Sequence, residues 1–274
     1  MDKTFLIDVE KCIGCRDCQL ACKDEHVGND WSPIARPQPD TGHFWMRVDE
    51  RELGVQPRVK AIWMPVLCQH CEKAPCIPSC PETAIYRRQD GIVLIDAGRC
   101  TGCKDCMEAC PYGVIYFNDE LQIAQKCTLC AHLLDQGWKE PRCVTACPTG
   151  ALVFGDAQGL QGELSMAEAW NPETGAEPAI RYIHLPKPTV VGEVYSPRED
   201  LCLEDVEIRL TSLVTGEVIS TTSNNYGDFC LKAAKPGPYE LTIEKTGYYP
   251  KQISPVDLQE WADLGSIRLY PRVP

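Results

Sequence analysis

Cys100, Cys103, Cys106 and Cys110 are spaced C-x2-C-x2-C-x3-C and run directly into Pro111. Cys12, Cys15, Cys18 and Cys22 repeat that spacing, followed by Lys23. Thiolates are soft ligands, so the chemistry open to such runs is disulfide formation, zinc binding or iron-sulfur ligation. A cubane of iron and sulfide needs four thiolates converging from different directions. The tight C-x2-C-x2-C loop supplies three, and in bacterial-type runs the fourth cysteine, followed by proline, ligates the other cluster of a pair. A zinc site rarely needs three closely spaced thiols from one loop and a distant fourth, so both runs read as iron-sulfur ligands. Two looser groups follow the same idea: Cys68, Cys71, Cys76 and Cys80 as C-x2-C-x4-C-x3-C, and Cys127, Cys130, Cys143 and Cys147 as C-x2-C-x12-C-x3-C. Zinc stays open for the last group, because two cysteine pairs a dozen residues apart are also ribbon-like spacing.

Sixteen of the 18 cysteines lie before residue 148, a density that in a short secreted chain would mark a disulfide scaffold. Such scaffolds belong to oxidising compartments. The first cysteine arrives at position 12 with no basic, apolar and small-residue segment ahead of it, so no signal peptide is read. The paired Arg87 and Arg88 are internal, which is not where a twin-arginine signal sits. The expectation is a cytoplasmic chain with reduced thiols. The longest apolar run, AIWMPVL, is far short of the roughly 20 residues of a spanning helix, so no direct membrane span is expected. The formal net charge of -12 argues against nucleic acid as a partner.

The elements that position these thiols are partly visible. FLIDVEKCIGCRDCQLAC aligns with IVLIDAGRCTGCKDCMEAC, an internal duplication. In each copy a short β-branched run ends in an aspartate, Asp8 or Asp96, so the chain enters each cysteine loop from a strand. Gly14 and Gly102 sit inside the loops, where a missing side chain lets the backbone approach a cluster and aim N–H groups at its sulfurs. His70 and His132 lie within cysteine groups and read as hydrogen-bonding neighbours, while His26, His43 and His184 show no metal spacing. Trp31, Trp45 and Trp63 read as packing over clusters or against a partner. No nucleophile or acid-base pair stands out beyond the cysteines, so no catalytic residue is assigned.

Together, CIGCRDCQLACK, CQHCEKAPCIPSCP, CTGCKDCMEACPYG and KCTLCAHLLDQGWKEPRCVTACPTGAL resemble the iron-sulfur subunits of the dimethyl sulfoxide reductase family of molybdopterin oxidoreductases, over roughly residues 1–155. The lysine after Cys22 agrees, since the first group of such subunits commonly continues that way. The resemblance implies a nested exchange of last cysteines: Cys12, Cys15, Cys18 with Cys147; Cys127, Cys130, Cys143 with Cys22; Cys68, Cys71, Cys76 with Cys110; and Cys100, Cys103, Cys106 with Cys80. It implies 4Fe-4S clusters at up to four sites, three also being possible, and electron relay in place of catalysis. It also implies a heterodimer with a large catalytic subunit that holds molybdenum on molybdopterin guanine dinucleotide.

After Cys147 the composition changes. Residues 156–187 are rich in Gly, Glu, Pro and Ala and read as a wrapping segment. From Pro188, short alternating runs separated by turn residues follow: TVVGEVY, EDVEIRLTS, GEVISTTS, DFCLKAA, YELTIEK and SIRLY. The expected fold is α+β, with tandem ferredoxin-like 4Fe-4S modules over 1–187 and a C-terminal antiparallel β-sandwich or barrel over 188–274. The second region resembles the carboxypeptidase regulatory-like, transthyretin-like domains, which implies an interaction or structural module. Cys202 and Cys230 fall within it, as free thiols or as one disulfide. The fusion is similar to that in small subunits of phenol transhydroxylases, which implies a small phenol substrate bound by the partner. An electron-transfer subunit of a respiratory reductase or formate dehydrogenase is the alternative, and a free polyferredoxin a third reading.

Overall fold

The structure, a computed structural model, describes residues 3–56 and 58–272. The chain divides into two compact units, one of residues 1–51 and 62–185, the other of residues 52–61 and 186–274.

In the first unit, strand Lys3–Asp8 is the centre of a three-stranded sheet. Leu152–Asp156 pairs with it antiparallel and Arg181–Ile183 parallel. Its alternation sends Phe5 and Ile7 into a core shared with Leu152, Phe154, Ile180 and Tyr182, the burial that suits aromatic and β-branched residues to a strand. Two short hairpins follow, Ile85–Arg87 with Val93–Ile95 and Tyr116–Asn118 with Ile123–Gln125. Four of the short helices sit at the cysteine loops. Asp17–His26 carries Cys18 and Cys22, Asp105–Ala109 carries Cys106, Ala131–Asp135 starts just after Cys130, and Arg142–Thr145 carries Cys143. Helices of this length do not persist on propensity alone; burial of Cys18, Cys22, Cys106 and Cys143 in the core holds them in place.

The duplication reaches the backbone. Arg16 and Lys104, matching positions of the two copies, are both left-handed, with φ of 65° and 70°, immediately before their helices. Asp8 Oδ1 accepts from Glu10 N at 3.2 Å and Asp96 Oδ1 from Gly98 N at 2.8 Å, closing the same turn out of each strand.

The second unit contains two four-stranded sheets. One joins Leu201–Cys202, Thr189–Ser196, Asp228–Lys232 and Trp261–Arg268; the other joins Val218–Thr222, Glu207–Ser212, Gly237–Glu244 and Lys251–Leu258. Val190, Val194, Phe229 and Ile267 of the first share one core with Ile208, Leu210, Leu241 and Leu258 of the second. The antiparallel expectation is corrected at one pair. Thr189–Ser196 and Trp261–Arg268 run parallel, because the last strand leaves the second sheet at Glu260 and enters the first beside Thr189, whose N–H donates to Glu260 O at 2.9 Å. Arg58, in the segment that belongs to this unit, donates to Asp228 at 3.1 Å, Glu193 at 3.3 Å and Asp263 at 3.4 Å.

Cys202 and Cys230 are free and exposed. They pair with Thr189–Ser196 along the same edge but four residues apart, one at Tyr195 and the other at Val191, about 13 Å along the strand, which is beyond the reach of a disulfide. Among the described residues no helix is long and apolar enough to cross a membrane.

Candidate metal centres

Electrostatic coupling among the sixteen thiols of the first unit runs mainly within four groups of four. Burial, followed by Cys12, Cys147 and Cys15, pushes the Cys18 thiol up to about 12. Burial and then Cys127 and Cys130 hold Cys22 well above the ordinary thiol value, and burial with Cys130, Cys22 and Cys127 does the same to Cys143. Cys71 is pushed up to about 12 by burial, Cys68, Cys110 and Cys76. Cys106 also reaches about 12, through burial and then Cys100, Cys76, Cys103 and Cys80. Thiols this close repel one another once ionised, so the donor set is suited to a cationic core that neutralises it.

Strand pairing explains which thiols meet. Ile7 faces Leu152 across the antiparallel pair, which brings the start of the first cysteine group beside the end of the fourth. Ile85 faces Ile95 in the same way, bringing Cys80 toward Cys100. Two of the quartets line pockets. Cys68, Cys71, Cys76 and Cys110 line one with Gln69, His70 and Tyr112. Cys80, Cys100, Cys103 and Cys106 line another with Lys104 and Ala124. Among the described residues, no three His, Cys, Asp or Glu side chains close on a site for a single ion.

Backbone N–H groups point at these sulfurs. Ala84 N lies 3.3 Å from Cys80 Sγ, Ala124 N 3.5 Å from Cys100 Sγ and Leu129 N 3.4 Å from Cys127 Sγ. Burial works to raise Cys147, but N–H groups of Leu152, Thr149 and Ala151 and the Thr149 hydroxyl bring it below the ordinary value. Donors of this kind stabilise anionic sulfur and fit a bound cluster. The Gly14 N–H bonds to Cys12 sulfur as expected, and the loop glycines meet a second need besides. A Cβ on Gly14 would lie 2.5 Å from the Trp63 ring, and one on Gly102 would lie 2.7 Å from Gln122 O. Both positions are left-handed, at φ of 71° and 75°. Close packing of Trp63 and Gln122 against the loops is what demands glycine there.

His70 is fully buried, and Val93 N donates to its Nδ1 at 3.0 Å. Burial, then Lys126 and Arg87, holds it well below the ordinary histidine value. Trp31 stacks on His132 at 4.4 Å and Trp45 lies 4.6 Å from the His26 ring. The carboxylate of Glu25 is shared by His132 at 3.0 Å and Arg142 at 3.2 Å. Lys126 is a functional neighbour that sequence reasoning misses. It is buried, donates to Val93 O and to Cys127 O, and its charge opposes the rise of both Cys76 and Cys127. A signal for it existed: Lys11, Arg99 and Lys126 each stand immediately before the first cysteine of a group.

Couplings between quartets set their order. Cys18 acts on Cys22 and Cys143, Cys68 on Cys127, and Cys76 on Cys106. The quartet of Cys12 is thus followed by that of Cys127, then that of Cys68, then that of Cys100. Cysteines of the two inner quartets are buried except for half-buried Cys110, whereas each outer quartet has one exposed thiol, Cys15 or Cys103.

Residues 59–157 match the 4Fe-4S dicluster domain and residues 189–265 the carboxypeptidase regulatory-like domain. The chain is 37% identical over 275 residues to the pyrogallol hydroxytransferase small subunit of Pelobacter acidigallici, covering 97% of this chain and 98% of that one. It belongs to the iron-sulfur subunits of the molybdopterin oxidoreductases. Other such subunits resemble it over a shorter stretch. A tetrathionate reductase subunit of Salmonella typhimurium is 37% identical over 192 residues, 66% of this chain and 72% of that one. The arsenate respiratory reductase iron-sulfur subunit of Shewanella is 32% identical over 233 residues, 65% of this chain and 94% of that one. As an iron-sulfur subunit of this family, the chain works in electron transfer through 4Fe-4S clusters.

Proposed function

We propose that this chain serves a molybdenum enzyme that transfers a hydroxyl between phenols, with catalysis in a large molybdopterin-containing partner. The observation that carries this reading is the span of the match. The pyrogallol hydroxytransferase small subunit aligns with 97% of the chain, whereas the tetrathionate and arsenate reductase subunits align with about two thirds. The β-rich second unit is therefore part of what the chain has in common with that relative.

The proposed ligand sets are Cys12, Cys15, Cys18 and Cys147; Cys127, Cys130, Cys143 and Cys22; Cys68, Cys71, Cys76 and Cys110; and Cys100, Cys103, Cys106 and Cys80. Their support is the mutual electrostatic coupling within each quartet, the two lined cavities and the N–H donors at sulfur. When bound, the clusters supply one-electron storage and transfer. The chain's own residues hold the thiols in rigid loops, keep water from the inner pair and offer donors to sulfur. We read residues 1–187 as tandem ferredoxin-like modules and 188–274 as a β-sandwich interaction module that recruits residues 52–61, in a cytoplasmic heterodimer.

Hydroxyl transfer between phenols involves no net redox change, and this gives the test. The purified complex should convert pyrogallol to phloroglucinol, given a tetrahydroxybenzene cosubstrate, with no external electron acceptor. Both phenols can be followed by chromatography under anoxic conditions. Strict dependence on an added donor or acceptor at every turnover would overturn the reading. The exposed Cys15 and Cys103 at opposite ends of the quartet order favour one second reading, an electron-transfer subunit of a respiratory molybdopterin reductase, and that dependence would be its signature.

A further inference from the structure

His70 has one nitrogen engaged and one without a partner. Val93 N–H donates to Nδ1 at 3.0 Å, so Nδ1 presents its lone pair and carries no hydrogen. The ring is then the neutral tautomer with its hydrogen on Nε2. Nε2 is buried and finds no acceptor in the protein, although the residue is 0% exposed. A buried, unsatisfied N–H is costly, which makes the orphan informative. His70 lines the cavity formed by Cys68, Cys71, Cys76 and Cys110. The other orphan there, Gln69 Oε1, is without a partner as well, so the two do not bond to each other. The Tyr112 hydroxyl, which also lines the cavity, engages Trp170 and Thr174, so the side-chain acceptors left there are cysteine sulfurs.

We propose that His70 Nε2–H donates a hydrogen bond to sulfur of the cluster held by Cys68, Cys71, Cys76 and Cys110, and so raises the reduction potential of that one centre. The inference rests on the ligand set proposed above. Reduction adds an electron to the cluster, and a donor at sulfur stabilises the more negative state more than the less negative one. Val93 fixes the ring in the donating tautomer, and burial keeps the bond in a low-dielectric setting where it is strong. His70 is thus a positioning residue for an electron, with no direct bond to iron.

The experiment is an EPR-monitored potentiometric measurement on the full-length chain in its purified complex. In His70→Leu, the ratio of reduced to oxidised cluster at a fixed potential should fall about tenfold for one centre, a shift of about 59 mV for one electron. The other centres should stay within about twofold. His70→Gln, whose amide offers both an acceptor and a donor, should recover part of the loss. Unchanged potentials, an upward shift, or an equal shift in every centre would overturn the proposal. If His70→Leu fails to assemble, wild-type protein carrying 15N-histidine answers the same question: pulsed EPR of the reduced complex should detect a histidine ring nitrogen coupled to a cluster, and no coupling would overturn the proposal. Iron and sulfide counts keep the two levels apart. A centre missing from the wild type at this quartet overturns the ligand set and the His70 bond together, while full loading with unmoved potentials overturns only the bond.

Discussion

Replacing Gly14 by alanine tests how the first cysteine loop is held. Two costs add at this position. The residue is left-handed, φ 71°, and a Cβ there costs roughly 1–2 kcal/mol. That Cβ also lands 2.5–2.7 Å from three atoms of the Trp63 ring, well inside contact distance, and relief by moving the ring or the loop adds about 1–3 kcal/mol. The sum is about 2–5 kcal/mol. Gly113 provides the control, because its φ is 59° but a Cβ there meets nothing within 4 Å, leaving only the conformational term of about 1–2 kcal/mol. The assay is iron release to a chelator, resolved by the loss of individual cluster signals. A factor of ten in rate corresponds to about 1.4 kcal/mol, so Gly14→Ala should release one cluster on the order of a hundredfold faster and Gly113→Ala about tenfold. Trp63→Ala combined with Gly14→Ala should recover the steric part. Equal release rates in Gly14→Ala and Gly113→Ala would refute the reasoning, since contact with Trp63 would then count for nothing.

Cys147→Ser should damage the centre of Cys12, Cys15 and Cys18 and spare that of Cys127, Cys130 and Cys143; a structure of the variant locating the altered centre checks this. Arg58→Met leaves Asp263, whose side chain is 8% exposed, together with the more accessible Glu193 and Asp228, without their shared cation. The loss should fall between that of an exposed and a buried pair, about 2–3 kcal/mol, seen as faster amide hydrogen exchange in Thr189–Ser196 and Asp228–Lys232. Asp8 is subject to burial, which raises its pKa, but the His184 hydrogen bond and charge, Lys11 and the Glu10 N–H leave it below the ordinary 3.8. Its contribution to stability is therefore full above that value and lost as pH falls through the lower folded one. Exchange in Lys3–Asp8 should show this acid slope in wild type and lose it in Asp8→Asn.

The cysteine groups proposed as ligands were legible because ligand spacing is written locally in the chain. C-x2-C-x2-C loops, the duplicated strand-to-loop entry and the Asp8 and Asp96 turns all involve neighbours a few positions apart. What escaped depends on distance along the chain. Arg58 meets partners 135, 170 and 205 positions away, and nothing near Arg58 in the sequence marks it as a residue of the second unit. The parallel pairing of the first and last strands of that unit is missed for a related reason: alternation fixes which face a strand buries but not which neighbour it takes. Lys126 escaped because a lysine is expected in water, and its burial follows from the placement of Val93 O and the surrounding thiols. The Gly14 N–H toward Cys12 sulfur was legible, but its packing against Trp63 was not, since Trp63 stands far from it in sequence.

The burial pattern of the thiols divides control of the relay. At the two inner quartets the protein supplies thiols that are buried except for half-buried Cys110, the Lys126 ammonium and the Leu129 N–H at Cys127. Cluster potentials respond to nearby charge, hydrogen bonds and solvent exposure, so these inner centres are set by this chain. The outer quartets differ because Cys15 and Cys103 are exposed. Whatever covers either thiol removes water from it and changes the energy of that end alone. A partner docked at one end would act on the first or last step of electron flow and leave the middle centres to this chain.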